Sequence, residues 1–476
     1  MGRRLTNTES LMWSLGQDPN LASTMGMFGV LAAAPPVDRF ETTMANLVAA
    51  VDRLRLKVND PLGLGGTIGI LEWVVDDAFD LDHHLRWCSL EGSPTVDGPE
   101  LARLITTFVN DPFDRTRPLW QFMLVSGLAG GRAALLGKVH HSISDGHGMV
   151  RLGAHLLEFE PDAPAPERVD LDAVLATEVA EHERRGGDRW RAGAERMAEL
   201  LQGAFRDVPT PQRLWELGGD AITSARVGDL KLDLGRSSDP APEAAPLWSR
   251  RSRNRRFAST VESLSSIREA ARAHEVSVND LFVGACAQAA VHYHGEYDIA
   301  LDHVRATVVI NVPVGGGEQA DPLDLGEGDN NFLPVPIEMP GHSVTAVERL
   351  AIIRAEIKAK RAMLEGRSGA LSALSGLGAF VPPQVAASIV LEQAGRVDFA
   401  TSNVAGLPIP AWFAGQELEN MFPVGPVTGT AFNITMLSYN DICQFGIHMD
   451  PAAVTDRELL VKSIGLSFRE LGVARI

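Results

Sequence analysis

One segment, KVHHSISDGHG, carries the residue types that acid–base chemistry needs. His140 and His141 stand side by side, and Asp145-Gly146 follows after Ser142-Ile143-Ser144. An imidazole changes charge near neutral pH, its ordinary value being ~6.5, so a histidine held in a cleft can take and return a proton. Asp145 is spaced to bond an imidazole or an arginine that pins the loop. Gly146 permits a backbone shape closed to other residues. The pair directly follows Ala133–Val139, whose composition predicts a strand, and a strand end presents a side chain rigidly.

Adjacent histidines are, as a rule, satisfied core groups rather than catalysts. The chain holds its own control. His83-His84, in DLDHHLRW, has no Asp-Gly at that spacing and reads as an ordinary, partly buried pair. Other chemistries lack their motifs: there is no GxSxG elbow, no GxxxxGK[ST] or GxGxxG after a strand, and no HExxH. His140, His141 and His147 make a poor metal set, because adjacent ligands from one turn rarely wrap a metal. Cys88, Cys286 and Cys443 are far apart and odd in number, which excludes a CxxC zinc site and a disulfide framework and fits a reducing cytoplasm. Cys286, in the apolar run Leu281–Ala290, reads as a small buried hydrophobe. The expectation is an enzyme without metal or cofactor.

The elements that must hold this segment follow from periodicity. Met25–Ala33, Ile68–Val75, Phe122–Leu128 and Ala133–Val139 read as strands, the last two joined by a turn at Ala129–Arg132. Asp38 is placed to cap a helix bearing Phe40, Met44, Leu47, Val51 and Leu54, and Leu101–Val109 is helical. The stretches EPDAPAPERVD, from Glu160, and SSDPAPEAAP, Ser237–Pro246, are linkers around a charged, helical region. Three segments result: 1–165, 166–248 and 249–476. In the third, Ser277 precedes a helix, Val304–Val312 is a buried strand, and Val347–Leu364 is an amphipathic helix. Phe432–Met436 and Cys443–Ile447 form a hairpin across Asn440-Asp441. Thr455 and Glu458 make a capping-box pattern for the last helix.

The chain has 476 residues, 43 of them basic and 61 acidic, for a net charge of −18. That charge repels phosphate backbones and argues against nucleic acid. The exception is a run of five arginines, Arg250, Arg251, Arg253, Arg255 and Arg256, which has two readings: a site for CoA phosphates or anionic headgroups, or a solvated linker end. The charge-free stretch Ser368–Leu391 is broken by glycines and by Pro382-Pro383, so it makes a poor transmembrane helix. Phe380–Leu391 and Trp412–Phe422 read either as core or as walls of apolar channels.

These residues resemble the bacterial wax ester synthase/diacylglycerol acyltransferase family, part of the CoA-dependent acyltransferases related to chloramphenicol acetyltransferase. HHxxxDG, His140–Gly146, is similar to the family's active-site motif. Pro118-Leu119-Trp120 is similar to its PLW element, with Gln121 where Glu is usual. Asn279-Asp280 resembles its ND element, and VINVPV and NNFLPV resemble core strands. The block TSNVAGLPIPAWFAGQELENMFPVGPV resembles the family's C-terminal part, with Ala405 replacing Pro after Asn403-Val404, and Asp329 replacing a Gly before Asn330.

The resemblance implies an α/β fold of two chloramphenicol-acetyltransferase-like two-layer sandwich domains, with a tunnel at their interface and a helical connector. It implies His141 as the base, with His140, Asp145 and Gly146 as supports and Asp145 held by an arginine. It implies acyl-CoA as co-substrate and diacylglycerol or a long-chain alcohol as acceptor. It places the chain in the cytoplasm, against the inner face of the membrane or lipid droplets. In that mechanism Asn279 is a candidate donor to the oxyanion, alongside backbone N–H groups. The competing readings are a non-catalytic lipid-droplet or scaffold protein of the same fold, and a related condensation-type or small-alcohol acyltransferase.

Overall fold

The computed structural model describes residues 3–60, 71–144, 152–153, 155–161, 163–181, 226–227, 230–231, 244–311, 332–364 and 390–475. Two mixed sheets organise it. The first has seven strands in the spatial order β5 (Leu85–Ser89), β6 (Trp120–Ser126), β7 (Ala133–His140), β2 (Thr24–Leu31), β16 (Gln416–Val424), β15 (Trp412–Phe413) and β8 (Leu157–Glu158). The second has six: β11 (Arg256–Ser263), β18 (Ile442–Met449), β17 (Phe432–Tyr439), β14 (Phe399–Val404), β12 (His303–Asn311) and β13 (Phe332–Pro340). A small sheet joins β1 (Arg3–Arg4), β4 (Glu72–Val75) and β3 (Leu56–Asn59), and β9 (Arg226–Val227) pairs with β10 (Leu230–Lys231).

Period-two patterning decides what each sheet face covers. In β2, Met25 and Leu31 pack with helix α2 (Val37–Ala50) through Phe40, Met44, Leu47 and Val48. Phe28 and Val30 point the other way, toward Leu101, Ile105, Phe108 and Val109 of helix α4 (Pro99–Asn110). The first sheet therefore carries helices on both faces. The second is two-layered: Cys443, Phe445, Ile447 and Met449 of β18 pack with helices α5 (Leu264–Ala273), α6 (Val278–Gly295), α7 (Ala346–Leu364) and α8 (Arg457–Glu470). The alternate residues of β18, Gln444, Gly446 and His448, are buried on the opposite face.

Chain order and sheet membership part company at one place. Strands β15 and β16 come from the third segment but complete the first sheet, with Phe422 opposite Phe28 and Val424 opposite Gly26. The same strand lies on the second sheet, its Pro423 carbonyl pressed against Gly446, where any side chain would collide with it. Tyr439 clamps the crossing: its hydroxyl accepts from the Ala411 amide at 2.9 Å and donates to the Leu418 carbonyl at 2.7 Å. At the other end His448 Nδ1 donates to Gly425 O (2.9 Å), while its Nε2 meets Asn110 Nδ2 at 3.2 Å. The connector docks on the first segment through charge. Arg55 forks onto Glu178 at 2.8 and 2.5 Å, and the Asn46 side chain bonds Glu167 and Val169 backbone.

Two local expectations shift. The helix after Pro35-Pro36 begins at Val37 with Pro36 as its cap residue, and Asp38 makes no capping bond because it already lies in the first turn. The last helix is capped by Asp456, whose carboxylate accepts from Leu459 N at 2.9 Å, so the Thr455–Glu458 pattern is one residue out of register. The other boundary residues behave as read. Ser277 and Asp280 form a reciprocal capping box (3.1 and 3.0 Å), and Asn440-Asp441 turns the hairpin with φ of 46° and 63°.

Candidate active site

β7 delivers the histidine pair. Trp120 pairs with Val139 and Thr24 with His140, so neighbours on both sides fix the strand end. The PLW element supplies one wall: His140 N–H donates to Leu119 O at 2.9 Å, and Trp120 N–H to Pro118 O at 3.0 Å. Trp120 is itself core, its indole donating to Leu54 O at 2.8 Å. His141 N–H donates to Ser23 O at 2.7 Å, and Ile143 N–H to His140 O at 2.9 Å, so the chain turns immediately after the pair.

The two imidazoles differ. His140 is buried, and both the Ser142 amide (3.2 Å) and the Ser142 hydroxyl (2.8 Å) donate to its Nδ1. Accepting at Nδ1 places the ring proton on Nε2. Burial, then the positive charge of Arg115, then His141, pushes the His140 pKa down to about 3. His140 is therefore a neutral, fixed group. His141 is half-buried at the turn. Asp145 and Gly146 lie outside the described residues, as does the arginine partnership assigned to Asp145.

Around the pair, Lys138 points from the same strand toward Phe108 and Phe113, its Nζ 5.0 and 4.7 Å from their ring centroids and donating to Asp111 O at 2.7 Å. Burial lowers its pKa to about 8. Phe113 also meets His140 edge-on, with ring centroids 6.4 Å apart. Sequence reasoning passed over Lys138, Phe113 and Arg115. The signal available was a charged residue alternating into an apolar strand two positions before His140.

The second set of residues singled out from sequence assembles elsewhere. Asn279 lies in the first turn of α6, Asn403 is the penultimate residue of β14, and the Asn403 amide donates to Asn279 Oδ1 at 3.5 Å. Two motifs 124 residues apart thus meet. Asp280 closes the helix cap, its carboxylate accepting from the Ser277 amide at 3.0 Å. The arginine run divides. Arg251 donates to Gly429 O (2.6 Å), Val397 O (3.3 Å) and Trp248 O, and Arg255 lies 3.7 Å from Asp450, so both tie the linker end to the second sheet. Arg250, Arg253 and Arg256 are exposed. Trp412–Phe422 holds β15, the turn at Ala414-Gly415 and most of β16, with Phe413 and Leu418 in the core. Phe422 stacks on Phe28 at 4.8 Å and also lines a groove of about 410 Å³ with Val96, Ala129, Ser259, Val261 and Asn420. Phe380–Leu391 lies outside the described residues up to residue 389. Among the described residues no helix is long and apolar enough to cross a membrane.

Comparison with known proteins gives this arrangement a context. Residues 8–282 match the wax ester synthase/diacylglycerol acyltransferase catalytic domain, and residues 329–472 match the C-terminal domain of the same proteins. A Mycobacterium tuberculosis protein provisionally named a diacylglycerol O-acyltransferase is 27% identical over 460 residues, 95% of this chain and 88% of that one. Among solved structures, the wax ester synthase/diacylglycerol acyltransferase from Marinobacter aquaeolei VT8 superposes with a TM-score of 0.61 at 22% identity, covering 94% of each chain. The first condensation domain of the calcium-dependent antibiotic synthetase shares the fold at a TM-score of 0.55 and 15% identity, covering 100% of this chain and 98% of that one.

Proposed function

The chain belongs to the wax ester synthase/diacylglycerol acyltransferase family, and from that premise we propose that it moves a fatty acyl group from acyl-CoA to a lipid hydroxyl, either diacylglycerol or a long-chain alcohol. The observation that carries this reading is the division of labour in the histidine pair. His140 is neutral, buried and engaged at Nδ1, and His141, half-buried at the turn, is the imidazole we assign as base.

His141 accepts the hydroxyl proton of the acceptor as its oxygen attacks the thioester carbonyl. The C–O bond forms, and the carbonyl electrons move onto oxygen. Donors held in place stabilise that oxyanion; backbone N–H groups and Asn279 are the candidates. Collapse breaks the C–S bond, the CoA thiolate leaves, and His141 returns the proton to sulfur. The path needs no acyl-enzyme and no metal.

The test is CoA release by purified protein from a long-chain acyl-CoA, with diacylglycerol or a long-chain alcohol as acceptor, beside His141→Ala. Loss of a general base lowers kcat by roughly 10²–10⁴-fold. Full activity in the variant overturns the mechanism. Absence of turnover by the native chain with both acceptors, while lipid binding persists, replaces the enzyme with a lipid-binding scaffold.

A further inference from the structure

Helix α1 (Asn7–Leu15) is clamped to the first segment at both ends. At its start, Glu9 is buried, lies 3.0 Å from the Arg53 guanidinium and accepts from the Trp73 indole at 3.3 Å, while Arg53 lies over Trp73 at 4.4 Å. At its end, the Arg115 guanidinium stacks 3.6 Å over the Trp13 ring and donates to Trp13 O at 2.7 Å. Burial lowers the pKa of Arg115 to about 10, which still leaves it cationic at neutral pH. The residue that ends the helix is Gly16, with φ −64° and ψ −2°. Every L-residue adopts that conformation, so the backbone does not require glycine. Space does: a Cβ at Gly16 would stand 2.7 Å from His140 Nε2 and 3.2 Å from Met12 O.

We infer that Gly16 is a positioning residue for the histidine pair, the clamped end of α1 serving as the wall that fixes the His140 ring. The chain of contacts is short. Gly16 leaves the Nε2 edge its place, the ring so placed receives the Ser142 amide and hydroxyl at Nδ1, and Ser142 directly follows His141. Displacing the ring displaces the turn that aims the base. Arg115 secures the wall and also disfavours a charged His140. The inference deepens the acyltransfer reading and rests on it for its kinetic arm only.

Gly16→Ala tests it. With backbone geometry preserved, kcat falls roughly 10–100-fold, as expected of an ångström-scale misplacement, while KM for acyl-CoA stays within about twofold. A thermal-denaturation cycle supplies the arm that needs no activity. Gly16→Ala lowers Tm in the native background and leaves it unchanged in His140→Ala, where the methyl group has room. In imidazole ¹⁵N spectra the His140 signals of the native chain show the Nε2–H tautomer, and Gly16→Ala shifts them. Equal Tm losses in both backgrounds, or native kcat and unshifted His140 signals in Gly16→Ala, overturn the inference. If the native chain turns over no acyl-CoA, the acyltransfer reading falls, and the Tm cycle and the spectra alone decide the role of Gly16.

Discussion

Two His-His pairs lie in the same half of this protein, and both contain one deeply buried imidazole. His84, at the end of helix α3 (Leu81–His84), stacks with Trp120, 4.2 Å away at 14°, and with Phe79, 5.1 Å away at 15°. Its Nδ1–H donates to Trp120 O at 2.8 Å, and burial lowers its pKa to about 4. His140 is pushed down to about 3, yet it accepts at Nδ1 and carries the opposite tautomer. Burial and a depressed pKa are thus common to both pairs and do not mark a catalyst. What differs is the companion. His83 precedes its buried partner within a helical turn, whereas His141 follows its partner at a strand end, where a backbone bond to Ser23 and the Ser142 contacts define its position.

The largest expected contrast is between the companions. His141→Ala lowers kcat by roughly 10²–10⁴-fold, and His83→Ala leaves it within about twofold; steady-state CoA release measures both. Equal losses would erase the distinction between the pairs. The next contrast is in stability. His84→Ala empties a stacked, buried site and costs roughly 2–4 kcal/mol in denaturant unfolding, with native kcat per folded molecule.

A third prediction concerns pH. His84, His140, His294 and His448 all have depressed values in the folded chain, about 4, 3, 4 and 4. The unfolded chain binds protons at these positions first, near ~6.5. Stability is therefore full above that value and falls as pH drops toward 4, by up to ~1.4 kcal/mol per pH unit for each group. Tm at pH 5 lies below Tm at pH 7.5, and His84→Gln flattens the slope. The smallest effect comes from the residue between the pairs. Trp120→Phe keeps the stacking ring and loses the indole bond to Leu54 O, for about 1 kcal/mol, with kcat unchanged.

Legibility in the sequence followed the range of the interactions. The reciprocal Ser277–Asp280 cap spans three residues and the Asn440-Asp441 turn spans two, so both were readable locally. The Asp456 cap shows the limit of that reading. Thr455 and Asp456 are both competent oxygens, and only the helix start chooses between them. The arginine run stayed open because a dense basic stretch looks the same whether its members reach solvent or, like Arg251, reach Gly429 and Val397 carbonyls 178 and 146 residues away. Strand β16 read only as an apolar segment, core or channel wall, because its place beside β2 is a pairing across nearly 400 residues.

By itself the sequence determined the chemistry on offer: two imidazoles at the end of an apolar strand, an Asp-Gly behind them, and no rival motif. It also fixed the local elements, because propensity, patterning and capping act over a few residues. Tertiary structure decided which imidazole is buried and neutral. The tautomer and neutrality of His140 depend on burial, on Arg115 from the segment after α4, and on the clamped end of α1, where Gly16 leaves its ring room. Charge and tautomer are properties of an environment, and that environment is built from residues the chain brings together only when folded.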